Sequence, residues 1–113
     1  MAADGFYGVD FSALTKGARG IVILGDGKIH GGDDQYLYSG EITGQDGRLH
    51  VTLTVKAYVP EAISAFGSYG GKFVLTLTGN VIGNDLQFSG PSPFPGSPGI
   101  TVRATYLGDL ALS

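Results

Sequence analysis

Apolar and polar residues alternate with a period of two along most of this chain. Leu49, Val51, Leu53, Val55 and Ala57 are separated by His50, Thr52, Thr54 and Lys56. Side chains alternate across a β-strand, so this segment reads as a strand with one apolar face and one Thr-rich face. Phe73, Leu75 and Leu77 alternate with Thr76 and Thr78 in the same way. Ile100, Val102 and Ala104 alternate with Thr101, Arg103 and Thr105, and Tyr36, Tyr38 and Ile42 with Ser39, Glu41 and Thr43. Asp26-Gly27 and Asp46-Gly47 are two-residue hairpin signals, since a type I′ turn needs positive φ at both central positions. Asn84 and Asp85, after Gly83, mark a further turn. The pattern predicts strands near 5–11, 19–25, 28–32, 36–45, 48–58, 72–81, 85–90 and 99–108.

Two segments interrupt the alternation. Pro60 to Gly67 predicts one short helical turn, with Pro60 near its start and its Ala, Ile and Phe residues covering an open end of the fold. Gly90 to Gly99 holds four of the five prolines and must be a loop, because proline cannot donate to a strand ladder. About eight antiparallel strands, each with one apolar face, bury those faces by closing into a barrel, which also removes the exposed edges. The expectation is therefore a single all-β domain over 1–113, a closed antiparallel barrel, with a two-sheet sandwich as the alternative. Leu49, Val51, Leu53, Val55, Phe73, Leu75, Leu77 and Val102 line its lumen. A barrel of this strand number is either filled by side chains or wide enough for one small ligand.

Composition narrows the class. The 113 residues include 20 glycines without a collagen-like period, which fits turns, bulges and strand kinks. Charged residues are only 15%, the net charge is −3 and the seven basic residues are scattered. Those features argue against a nucleic-acid partner. A surface so sparsely charged suggests that one barrel face is covered in a homodimer, with the Thr-rich outer rows as the candidate faces. There is no cysteine, so no disulfide framework and no thiol chemistry. Met1-Ala2-Ala3-Asp4 has neither a charged nor an apolar signal region, and no apolar run reaches the ~18–20 residues of a membrane span. A cytoplasmic location without membrane contact is expected.

The search for catalytic chemistry is nearly empty. Gly67-Ser68-Tyr69-Gly70 lacks the spacing of a nucleophile elbow. Gly67 to Lys72 is one residue short of a phosphate loop, and Phe73 stands where Ser or Thr is needed. His30 and His50 are the only imidazoles. A metal at His30 would need Asp33 or Asp34 to converge on it, whereas the simpler role of those carboxylates is to cap a turn. Glu41 and Asp10 would face one cleft only by chance of the fold. No catalytic residue, metal ligand or cofactor is assigned, and an enzyme is not expected. The six Tyr and six Phe are read first as packed core and second as the lining of an apolar ligand pocket.

Gly20 to Gly40 carries the most specific pattern. Asp4-Gly5-Phe6-Tyr7 precedes it as a Gly-x-Tyr strand. Ile29, Gly31, Gly32 and Asp33 form an Ile-x-Gly-Gly-Asp element, and Tyr38 and Gly40 a Tyr-x-Gly strand. Ser64-Ala65-Phe66-Gly67 and the later Phe73, Leu75, Leu77 and Gly79 continue the match. In these residues the chain resembles the negative regulators of type III secretion, the GrlR-like proteins. The resemblance implies a lipocalin-like eight-stranded barrel, usually dimeric and cytoplasmic. It also implies a repressor of secretion genes that sequesters a transcriptional activator instead of binding DNA. The founding member contacts its activator through an acidic Glu-Asp-Glu-Asp segment. The corresponding residues here are Gly44, Gln45, Asp46 and Gly47, with a single carboxylate.

Two site expectations follow. The hairpin tip at Gln45 and Asp46, flanked by Glu41 and Arg48, is the candidate partner contact; the competing reading is that Asp46-Gly47 is simply the pair a tight hairpin demands. In the Gly-Gly-Asp element, the glycines permit a close backbone approach and Asp33 holds the turn. The alternative there is a recognition surface of His30, Asp33 and Asp34. The functional expectation is a non-enzymatic regulator that binds another protein. The alternative is a small carrier of an apolar ligand.

Overall fold

A computed structural model describes residues 2–13, 16–45 and 47–112, with the backbone alone for 16–18 and 45. The chain forms eight strands: β1 (Gly5–Ser12), β2 (Lys16–Gly25), β3 (Lys28–Gly32), β4 (Tyr36–Gln45), β5 (Arg48–Ala57), β6 (Lys72–Ile82), β7 (Asp85–Gly90) and β8 (Ile100–Gly108). Each pairs antiparallel with the next, and β1 pairs with β8 to close the barrel. All eight ladders are thus satisfied and no edge remains. Among the described residues there is no helix long and apolar enough to cross a membrane.

Alternation places the side chains as the period of two requires. Leu49, Val51, Leu53, Val55, Leu75, Leu77 and Val102 are all buried in the lumen. Phe73 also points inward, opposite Val55, but it sits at the barrel end and is only half-buried. Thr52 and Thr76 lie opposite each other on the outer wall and are exposed, as the Thr-rich face implied. The Asp26-Gly27 hairpin has φ of 51° and 74° at its two central residues, the geometry of a type I′ turn. Gly47 has φ of 76°; Asp46, its companion, lies outside the described residues. The third two-residue turn is Gly83-Asn84, and Asp85 already belongs to β7.

The helical turn expected over 60–67 does not form. Val59 and Ser64 each accept one turn hydrogen bond, from Ala62 N at 3.3 Å and Gly67 N at 2.9 Å, and Ile63 bridges to Tyr69. The Ser64 hydroxyl explains the difference. It accepts the amides of Phe66 and Ser68, giving the backbone a partner outside any helix. Gly67, Gly70 and Gly71 then adopt positive φ, which no α-helix contains. The result is a compact double-turn plug. Its Ala62, Ala65 and Phe66 are buried against the barrel end, while Ile63 is exposed.

Candidate functional site

Both long connections, 58–71 and 91–99, fold over the same end of the barrel. Each inserts a phenylalanine. Phe66 from the first and Phe94 from the second pack on Phe73 at the start of β6, with ring centroids 5.4–5.9 Å apart. All three pairs are edge-to-face, the arrangement that the ring quadrupole favours. Tyr36, the first residue of β4, adds a fourth ring 6.1 Å from Phe73. This aromatic cap is the lid of the molecule.

Beneath the lid lies the Gly-Gly-Asp element. A Cβ on Gly31 would come within 2.1 Å of the Ile21 carbonyl oxygen, and one on Gly32 within 2.8 Å of the Tyr36 carbonyl oxygen. The two glycines are there because neighbouring backbone leaves no room for a side chain. Asp33 then caps the turn into β4. Its Oδ1 accepts the amides of Gln35 and Tyr36, both at 2.7 Å. Its Oδ2 accepts the hydroxyl of Tyr38. Tyr58 donates to the Asp33 carbonyl at 2.7 Å, and the Gln35 side-chain oxygen accepts the Ile63 amide at 2.9 Å, tying the plug to the same turn. The turn-holding role expected of Asp33 is therefore met in detail.

The electrostatics follow from this packing. Burial drives the Tyr38 hydroxyl pKa upward, reinforced by its hydrogen bond to the Asp33 carboxylate. Tyr36 moves the same way, first through burial and then through the nearby Asp33 charge. The Tyr36 hydroxyl is buried and has no hydrogen-bond partner, unlike every other buried side-chain polar atom among the described residues. Tyr36 lines a cavity of about 30 Å³ together with Asp33, Tyr38, Ser64, Phe66 and Phe73.

A second cavity of about 50 Å³ lies deeper in the lumen, among Val51, Leu53, Leu77 and Phe88. Phe11 borders both. Neither approaches the ~300–1,000 Å³ of a site that buries a drug-sized ligand. The lumen is a packed core.

The other expected site residues are dispersed. Glu41 is on the outer wall, four residues before the hairpin tip, and it is engaged with Lys28 across the β3–β4 ladder. Lys28 holds its carboxyl below the usual carboxylate range. Arg48 is exposed at the start of β5 beside Gln45, while Asp46 lies outside the described residues. Gly40 sits in mid-strand, where a Cβ would meet the Thr52 carbonyl oxygen at 2.1 Å. His30 is exposed on the outer wall, opposite Ile23 and Ser39. Among the described residues no three His, Asp or Glu side chains come together as a metal site would require.

The expectation that Phe66 covers an open barrel end holds, but sequence reasoning missed that the 91–99 loop completes the lid. Phe94, an aromatic in the middle of a proline-rich loop, was the one signal that this loop docks on the barrel. It also missed an apolar outer face. Ile21 and Ile23 on β2 and Leu107 on β8 are exposed by 41–57%. They flank Gly8, which lies opposite Ile21 and where an added Cβ would be in ordinary contact with Leu107. Across the sheet, the row Gly8, Ile21, Gly32 and Leu37 runs from β1 to β4, with Leu37 exposed as well. Val74, Val81 and Ile82 of β6 are exposed as well, Val74 opposite Thr54 within the Thr-rich rows. No family model matches the chain, and no curated protein matches it.

Proposed function

We propose that the protein is a non-catalytic binding module that works in the cytoplasm through its outer surface, as a homodimer that sequesters a protein partner of the transcriptional-activator class. The observation that carries this reading is the exposed apolar face of Ile21, Ile23, Leu37 and Leu107 on a barrel whose interior is filled. Isolated exposed apolar residues are ordinary, but a contiguous group of them marks an interaction site. The face suits a second copy of the chain. It sets the side chains of Ile21 and Ile23 beside the bare backbone of Gly8, and a two-fold interface uses one such surface twice. The Asp10–Arg19 ion pair at 3.1 Å, on the same β1–β2 wall, supplies both charge signs to its rim. The scattered basic residues and net charge of −3 support a regulator that does not itself contact DNA. The carrier reading ranks second, because the lumen cavities are small.

Sedimentation equilibrium tests the assembly. The parent is expected at twice the 11.7 kDa chain mass, and a variant carrying Ile21→Glu and Ile23→Glu at the chain mass with its circular dichroism unchanged. A parent that stays at 11.7 kDa at tens of micromolar overturns the homodimer. Affinity capture from the native cell, with mass spectrometry, tests the partner: recovery of a transcriptional activator supports the reading, and recovery of nothing above background opposes it.

A further inference from the structure

The lid end stands apart from the outer face. Its chemistry is specific. Asp33 is a half-buried carboxylate that pairs with no cation among the described residues, whose ion pairs are Arg19–Asp10, Lys28–Glu41 and Arg103–Asp85. Among the described residues no Lys, Arg or His borders the cavity that Asp33 shares with Tyr36. An ionised carboxylate offers about four acceptor sites. Two amides occupy Oδ1 and the Tyr38 hydroxyl takes one site on Oδ2, so one acceptor direction remains. The Tyr36 hydroxyl, on a side chain 96% buried by its 4% exposure, is a further polar group without a partner. The rings of Tyr36, Tyr38, Phe66 and Phe73 form the rest of the wall.

A carboxylate, an unpartnered hydroxyl and several aromatic rings around one small cavity match one ligand chemistry. We propose that this cavity binds a primary ammonium group on a short unbranched stem. The ammonium N–H groups would be accepted by Asp33 Oδ2 and the Tyr36 hydroxyl, and its charge would lie against the ring faces. The volume of about 30 Å³ holds roughly two water-sized groups, enough for the nitrogen and its first carbon. Anions are disfavoured by Asp33 and its neighbour Asp34. A neutral alcohol of the same length gains the hydroxyl contact but not the charge. The same head group occurs on free small amines and on lysine side chains.

The test is a titration of the intact protein followed by amide NMR, using n-butylammonium, n-butanol and Nα-acetyl-lysine amide as separate probes. Butylammonium is expected to bind with a dissociation constant on the order of millimolar and to shift the resonances of Tyr36, Phe66 and Phe73. Butanol should bind at least about tenfold more weakly, as should butylammonium to Asp33→Asn, which keeps Oδ1 for the two turn amides but removes the charge. Tyr36→Phe should weaken it several-fold while leaving the ring in place. Tighter binding of the lysine derivative than of butylammonium assigns the site to a side chain of another protein, and the reverse assigns it to a free amine. Equal binding of amine and alcohol overturns the proposal, and so does the absence of shifts up to saturating amine. If Asp33→Asn does not fold, Tyr36→Phe decides: a variant that melts higher than the parent and binds butylammonium equally well shows that the hydroxyl is merely an unsatisfied group.

Discussion

Phe66 and Phe94 meet edge to face with ring centroids 5.5 Å apart, although 27 residues and two strands separate them in the chain. Each comes from a connection that has no regular strand pairing of its own beyond one isolated bridge. Their contact, with Phe73 as the third ring, is what docks both connections on the barrel.

Phe94→Ala should therefore loosen the lid without unfolding the barrel. The expected loss is about 1–3 kcal/mol, below that of a fully buried Phe because Phe94 is half-exposed. Hydrogen exchange should accelerate in 58–71 as well as in 91–99, while the strand amides stay protected. A double-mutant cycle with Phe66→Ala should give a coupling of about 0.5–1.5 kcal/mol. Zero coupling would mean that the two connections dock independently.

Leu53 is 4% exposed and faces Gly40 on one side and Leu75 on the other. Leu53→Asp buries an unpaired charge in mid-lumen, where no partner can reach it. The cost exceeds about 4 kcal/mol, comparable to the whole stability of a small domain. The amide spectrum should collapse to the narrow dispersion of an unfolded chain. A spectrum that remains dispersed would show that the lumen admits water.

Gly40 and Gly8 make a matched pair. A Cβ at Gly40 lies 2.1 Å from the Thr52 carbonyl oxygen and 2.9 Å from Leu53 Cα, both backbone atoms that cannot swing away. A Cβ at Gly8 meets only the Leu107 side chain, at 3.6 Å. Gly40→Ala should cost about 3 kcal/mol or more by urea denaturation. Gly8→Ala should change stability by less than about 1 kcal/mol, with the loss of unfolded-state freedom in its favour.

Tyr38 gives the fold an alkaline limit. Burial and the Asp33 hydrogen bond favour its protonated form in the folded state, so its folded pKa lies above the unfolded value near 10. Below that value both states hold the proton and the contribution to stability is complete. Above it only the folded state holds the proton, and stability falls by about 1.4 kcal/mol per pH unit for one such group. Tyr38→Phe should be less stable than the parent at pH 7, having lost a hydrogen bond to a carboxylate. It should also show a shallower decline above pH 10. Parallel stability curves for the two proteins would contradict this account.

Local patterning along the chain set the strands and their faces. The bounds of β3, β4 and β7 follow from the alternation and turn residues alone, and β5 ends one residue earlier than the pattern indicates. This was legible because a strand's period is local: each residue's face depends on its own parity. The roles of Gly31, Gly32 and Asp33 were legible for a similar reason, since the atoms that exclude a Cβ lie on the adjacent strands of the meander and the turn amides are accepted by Asp33 within its own turn. That Phe66 covers a barrel end was legible too, but the docking of Phe94 beside it and the outer face were not. Parity says that Tyr36 and Phe73 point inward but not that they share one end with Phe66 and Phe94. Ser64, by bonding its own local backbone, turned an expected helix into the plug that brings Phe66 there. Ile21 and Leu107 stand 86 residues apart, and they become neighbours over Gly8 only because β1 and β8 close the barrel. Closure is a property of all eight strands together, so which exposed apolar residues form a surface and which residues share a cavity follows from the assembled barrel and from no single segment.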